Sequence, residues 1–253
     1  MYSNGYIFRY ASILVILVAA ILSATTLLLQ PAQERNVRIE KIQDILASAH
    51  IASTPANAQA LYEKHIIREI VINNQGEEIA VFGNGNFEKG DLRAFNIVLK
   101  TELKKKELAM AGKTAENPVF PLFVCQKDSE TIYIIPLYGR GLWGPVWGNI
   151  ALKSDFNTVE GVTFDHKGET PGLGAEIAYA PFKNQFNNKT IFNAQGQFSS
   201  IQVVKGGVFN SNINPMHGVD AISGGTITCN GVSSMLKDCL ENYVLYFKNQ
   251  NAI

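Results

Sequence analysis

The sequence predicts an α+β chain: a single N-terminal transmembrane helix, then one antiparallel-sheet domain that closes on a C-terminal helix. Three observations carry this. Residues 11–29 (ASILVILVAAILSATTLLL) contain no charge, no Gly and no Pro. From residue 119 onward, short runs rich in Val, Ile, Tyr and Phe alternate with polar turns, which marks strands. Near the end, Val232, Leu236, Cys239, Leu240, Tyr243 and Phe247 recur at helical spacing.

The anchor is set at residues 1–30. An apolar run of that length, at about 1.5 Å per residue, gives roughly 28 Å of helix, close to the hydrocarbon thickness of a bilayer. A cleaved signal peptide would carry a shorter apolar core of about 7–15 residues behind a basic leader. Here only Arg9 precedes the run. Arg35, Arg38 and Lys41 follow it, so charge alone leaves the side of the membrane open.

Residues 31–65 are expected to form a helical connector. Pro31 and the polar run 34–38 open a helix with a loose apolar stripe of Val37, Ile42, Ile45, Leu46 and Ala49. Thr54-Pro55 is expected to end it, because proline disfavours helix at the preceding residue. Residues 56–64 read as a short second helix. The domain proper is set at 66–253. Strands are expected over 66–72, 79–82, 120–125, 131–138, 147–153, 159–166 and 201–205, with a charged helix over 101–111.

Composition narrows the function. Lys plus Arg is 22 and Asp plus Glu is 22, so no net basic charge advertises a nucleic-acid partner. The three cysteines form no CxxC pair, and the four histidines are scattered, which predicts no metal site.

Three glycine-rich segments remain as candidate chemistry. In 139–148 (GRGLWGPVWG) both tryptophans sit in a loop between strands. They either plug the core or form an apolar wall for a planar ligand. In 166–176 (HKGETPGLGAE), Pro171 fixes one torsion while Gly172 and Gly174 free others, so backbone N–H groups can meet an anion or a polar ring edge. Glu169 is read as an acceptor for a ligand hydroxyl. In 217–232 (HGVDAISGGTITCNGV), Ser223-Gly224-Gly225-Thr226 leads into a helix, in the manner of a phosphate cradle. No Gly-Lys-Ser/Thr follows, so nucleotide hydrolysis is unsupported.

The run Asp220-x-x-Ser223-Gly224-Gly225-Thr226 resembles the flavinylation motif Asp-x-x-(Ser/Thr)-Gly-Ala-Thr. That motif marks the FMN-binding subunits of the Na+-translocating NADH:quinone reductase and of the related Rnf-type complex. Residues 169–174 (ETPGLG) resemble the family's other signature. Gly141-Leu142-Trp143, His217-Gly218-Val219-Asp220, the anchor and the length are similar to the C subunit of the quinone reductase. One position departs from the pattern: Gly225 stands where the family has Ala.

The resemblance implies FMN bound covalently through its phosphate to Thr226, with Thr228 as rival acceptor, installed by a flavin transferase that uses FAD. It implies a cofactor site made of Thr226, Ser223, Gly224, Gly225, Ile227, Thr228, Asp220, Leu142, Trp143, Glu169, Thr170, Leu173, Gly174 and Lys205. It also implies an electron-transfer subunit, inactive alone, held in the bacterial inner membrane among other subunits and lipid. There the flavin domain is periplasmic and Na+ export is coupled to quinone reduction. Leu142-Trp143, 169–174 and 223–228 are therefore expected to converge, although more than 80 positions separate the extremes. The alternatives are an Rnf-type ferredoxin–NAD flavin subunit and a colourless, non-redox anchored binding protein.

Overall fold

A computed structural model of the chain describes residues 3–250; Met1, Tyr2 and residues 251–253, the tips of the anchor and domain ranges, lie outside the described residues. The chain divides into two compact units, Met1–Ile42 and Gln43–Ile253.

The first helix, α1 (Asn4–Ser48), runs unbroken through Pro31. The expected fresh start at Pro31 is thus corrected. Proline removes one i→i−4 hydrogen bond, but the bonds on either side of it remain to carry the helix on. An 18-residue window of α1 has mean hydropathy 2.6 and is wholly exposed, so by length and composition the helix is able to cross a membrane. The helix also ends at Ser48, not at Thr54-Pro55. Within Gln43–Ile253, Ile45, Leu46 and Ala49 are fully buried, as the apolar stripe predicts, whereas Val37 is exposed.

Seven strands form one antiparallel sheet: β1 (Ile66–Asn73), β2 (Glu78–Gly83), β3 (Asn86–Lys89), β4 (Val119–Lys127), β5 (Glu130–Arg140), β6 (Pro145–Leu152) and β7 (Val159–His166). Their order is β3-β2-β1-β4-β5-β6-β7, so every neighbour beyond the β1–β4 pair is a consecutive hairpin. Both faces of the central strands are covered. On one face, Phe120, Leu122, Val124, Ile135 and Leu137 pack with Val232, Leu236, Leu240 and Tyr243. On the other, Phe123 meets Tyr62 of α2 (Ala58–His65) edge-on at 6.4 Å. The carbonyl of Ser48 also lies against Gly161 there. That double cover explains why these strands read as near-continuous apolar runs and not as strict alternation. Each fully buried Phe, Leu or Ile contributes about 1.5–3 kcal/mol to holding the layers together.

A helix α3 (Leu99–Met110) precedes β4, and a short helix α4 (Ala180–Lys183) follows β7. The strand expected over 201–205 is β8 (Gln202–Val204), which pairs in parallel with β9 (Gly218–Asp220); β9 and the exposed edge strand β3 had no signal in the sequence. The closing helix also differs from its expected span. It begins at Thr226 as α5 (Thr226–Leu240), gives way to a 3-10 turn over Glu241–Tyr243, and resumes as α6 (Val244–Asn249). Polar and glycine residues hide its first turns from apolar periodicity. Gly231 lies inside the helix because a Cβ there would stand 2.2 Å from the Arg140 carbonyl. The missing side chain is what lets α5 press against the end of β5.

Candidate functional site

The three glycine-rich segments converge. Leu142, Glu169, Thr170, Leu173, Gly174, Gly224, Gly225, Thr226, Ile227 and Thr228 line a single cavity of about 210 Å³. Leu142 belongs to the turn between β5 and β6. Glu169 to Gly174 form the loop after β7, and 224–228 form the start of α5.

The floor is built around Glu169, which is only 4% exposed. One carboxylate oxygen, Oε1, accepts the Trp143 N–H at 2.8 Å, and Oε2 accepts the Thr228 hydroxyl at 2.5 Å. The Glu169 N–H donates to His166 Nδ1 at 3.1 Å. Burial pushes the carboxyl pKa up. The Thr228 hydroxyl, the N–H groups of Trp143 and Leu142 and the nearby His166 outweigh that burial, so the pKa lies below the ordinary glutamate value. Glu169 is therefore a carboxylate at neutral pH. Each of its oxygens already accepts from the protein, so the expected role of Glu169 as acceptor for a ligand would rest on the remaining lone pairs of a residue only 4% exposed.

Glycines set the shape of the cavity. At Gly174 a Cβ would stand 2.4 Å from Thr228 Oγ1, and at Gly141 one would stand 2.6 Å from Glu169 Oε1. Gly224 has φ +75°, so its torsion demands glycine; a Cβ there would also meet Leu173 Cδ2 at 2.5 Å, the tip of a half-exposed side chain that can turn aside. Gly225 is different. Its φ is −97° and its nearest neighbours to a Cβ are at 3.4 Å, so the alanine of the family pattern would fit.

Gly225 is also the N-cap of α5 and offers no side chain to the first turn. The leading N–H groups and the positive end of the helix dipole are thus left for an anion. Thr226 is the first residue of α5 and is half-buried on the cavity wall. Among the described residues its hydroxyl has no hydrogen-bond partner. Thr228, by contrast, is 2% exposed and donates to Glu169.

Four predicted residues lie outside the lining. Trp143 is held by its backbone, but its side chain is 68% exposed, which overturns the core-plug reading for this indole. Ser223 sits exposed in the turn before Gly224. Asp220 Oδ1 accepts the Val208 N–H at 2.7 Å, while its backbone pairs with the Gln185 side-chain amide, so it organises the 205–210 loop. Lys205 is exposed on that loop. A larger cavity, about 600 Å³, lies between α3 and α5 and includes none of the predicted residues.

The cavity fits part of a flavin mononucleotide. It is smaller than the roughly 300–1,000 Å³ of enclosed small-molecule sites, so this chain would surround the phosphate end and leave much of the ring at the surface. Leu142, Leu173 and Ile227 are 48%, 41% and 57% exposed, an apolar rim of the kind a ring would cover.

Fold and cavity together define an FMN-binding domain, and residues 141–241 match the family model described as the FMN-binding domain. The chain is 33% identical over 228 residues to the C subunit of the Na(+)-translocating NADH-quinone reductase of Haemophilus ducreyi, covering 89% of this chain and 85% of that one. It is 32% identical to the protein of the same name from Vibrio vulnificus, covering 84% and 81%. The crystal structure of the equivalent protein from Parabacteroides distasonis superposes with TM-score 0.72 at 36% identity, covering 87% of this chain and 96% of that one. The chain belongs to the family of the C subunit of the Na(+)-translocating NADH-quinone reductase.

Proposed function

We propose that this chain carries FMN esterified through its phosphate to Thr226, and that it relays electrons within a membrane-bound Na+-translocating NADH–quinone reductase. The observation that carries the attachment site is the contrast between two threonines two positions apart. Thr226 presents a half-buried hydroxyl, unpartnered among the described residues, on the cavity wall at the uncapped end of α5. Thr228 is buried, and its proton is held by Glu169. A flavin transferase can reach the first hydroxyl without breaking the pocket; to reach the second it would have to dismantle the floor.

When bound, FMN supplies a one- or two-electron centre. The chain's residues do the rest. Thr226 tethers the phosphate, the α5 N-terminus stabilises its charge, and Leu142, Leu173 and Ile227 shield one part of the ring from water. The apolar window of α1 supports a membrane anchor beside the other subunits and lipid. The family resemblance supports a periplasmic position for the flavin domain. Purified, denatured wild-type chain should fluoresce in a gel and weigh one FMN, less water, more than its sequence, and Thr226→Ala should lose both signals. A Thr226→Ala chain that still fluoresces, with Thr228→Ala dark, would move the attachment to Thr228.

A further inference from the structure

We infer that Glu169 is a positioning residue: without touching the flavin, it holds Thr228 as a pure hydrogen-bond acceptor towards the cavity and ties the Leu142–Trp143 turn to the loop after β7. This deepens the flavin reading and rests on it.

The carboxylate is sealed on both sides. Oε1 lies where a Cβ on Gly141 would come within 2.6 Å, and Oε2 where a Cβ on Gly174 would come within 2.6 Å. Its oxygens are committed to the Trp143 N–H and the Thr228 hydroxyl. With the residue only 4% exposed, little of either oxygen is presented to a ligand. Three stretches of chain, at 141–143, 166–174 and 228, therefore share one anion.

The consequence reaches the ligand through Thr228. A hydroxyl has one proton to donate and two lone pairs to accept with. An ionised carboxylate only accepts, so the proton of Thr228 must point at Glu169. Thr228 lines the cavity, and towards it only lone pairs remain. Whatever group of the cofactor meets the Thr228 hydroxyl must therefore bring an N–H or O–H donor: a ring N–H or a ribityl hydroxyl qualifies, and a carbonyl oxygen or a phosphate oxygen does not, although the backbone N–H of Thr228 remains a donor. Glu169 thus selects which edge of the cofactor turns inward, from a position one residue removed.

The test is a double-mutant cycle on the full-length protein in detergent, using Glu169→Gln, Thr228→Val and the pair. Each chain is prepared with flavin, from a host that has the transferase, and without flavin, from a host that lacks it. In the flavin-free chains each single change should lower the melting temperature by about 3–10 °C, the loss of a hydrogen bond to a charged group. The double variant should melt no lower than the worse single. In the flavin-bearing chains both single changes should displace the visible absorption band in the same direction, and the pair no further. Thr228→Ser, which keeps the hydroxyl, should hold the wild-type band. Additive losses, a band moved by Thr228→Val but not by Glu169→Gln, or a Thr228→Ser band that follows Thr228→Val would overturn the inference while leaving the flavin reading intact. A wild-type chain without flavin would overturn both.

Discussion

Replacing Gly174 with Ala places one methyl group at the junction of the whole site. Its carbon would stand 2.4 Å from Thr228 Oγ1 and 2.6 Å from Glu169 Oε2, against about 3.4 Å for an ordinary contact. Both partners lie in the buried floor, so neither can swing into solvent. The Thr228–Glu169 hydrogen bond must open, at a cost of about 1.5–3 kcal/mol for a bond to a charged group. Overpacking adds about 1–3 kcal/mol. For a domain of this size roughly 2–4 °C is lost per kcal/mol, so the melting temperature should fall by about 5–20 °C. Thermal melts followed by far-ultraviolet circular dichroism measure this directly. Gly225→Ala, at the N-cap of α5, serves as the contrast. Its Cβ would find neighbours only at 3.4 Å and its φ is negative, so the entropy gain of alanine offsets its poorer N-capping and the change should stay within about 1 kcal/mol of neutral. Flavin should still attach to that variant. If Gly174→Ala melts within about 2 °C of wild type, less than the smallest fall expected, or Gly225→Ala proves the more damaging, the packing described around Glu169 is wrong.

Three further outcomes are expected. Full-length protein should stay with membranes through high-salt washing and come off only with detergent, because apolar burial and not charge would hold α1; release by salt alone would refute the anchor. The Glu169 carboxyl has a folded pKa below its unfolded value, so its contribution is present above the unfolded pKa, near 4.3, and is lost as pH falls through the folded pKa. The stability gap between wild type and Glu169→Gln should therefore be full at neutral pH and shrink under acid, with His166 as the nearest other titratable group; a gap unchanged down to about pH 3 would contradict the ionised floor. Trp143→Ala should cost little stability, since the indole is 68% exposed, yet alter flavin absorbance where the ring meets the rim; an unchanged spectrum with flavin attached would take Trp143 out of the site.

Much of this protein was legible in the chain itself. An uncharged apolar run, a change to strand patterning after residue 119 and the spacing of Val232 to Phe247 are local signals, and local hydrogen bonding and burial obey them. The strands β1, β2 and β4 to β8 lie within a few residues of their expected places. The residues of the cavity wall were legible too, because glycine clusters and a Ser-Gly-Gly-Thr turn before a helix are written in consecutive positions. What stayed hidden was everything decided across the chain. The start of α5 has no apolar period, since its first turns face the cavity and the end of β5. Its glycine at 231 looks like a break until the Arg140 carbonyl is seen beside it. The exposed β3, and β9 with its parallel pairing to β8, depend on neighbours that no short window contains. Glu169 is the sharpest case. In sequence it is an acid in a turn, free to greet a ligand. Only the fold brings Trp143 and Thr228, 26 positions before it and 59 after, onto its two oxygens, because a buried carboxylate must find donors, and those were the ones the sheet and α5 delivered.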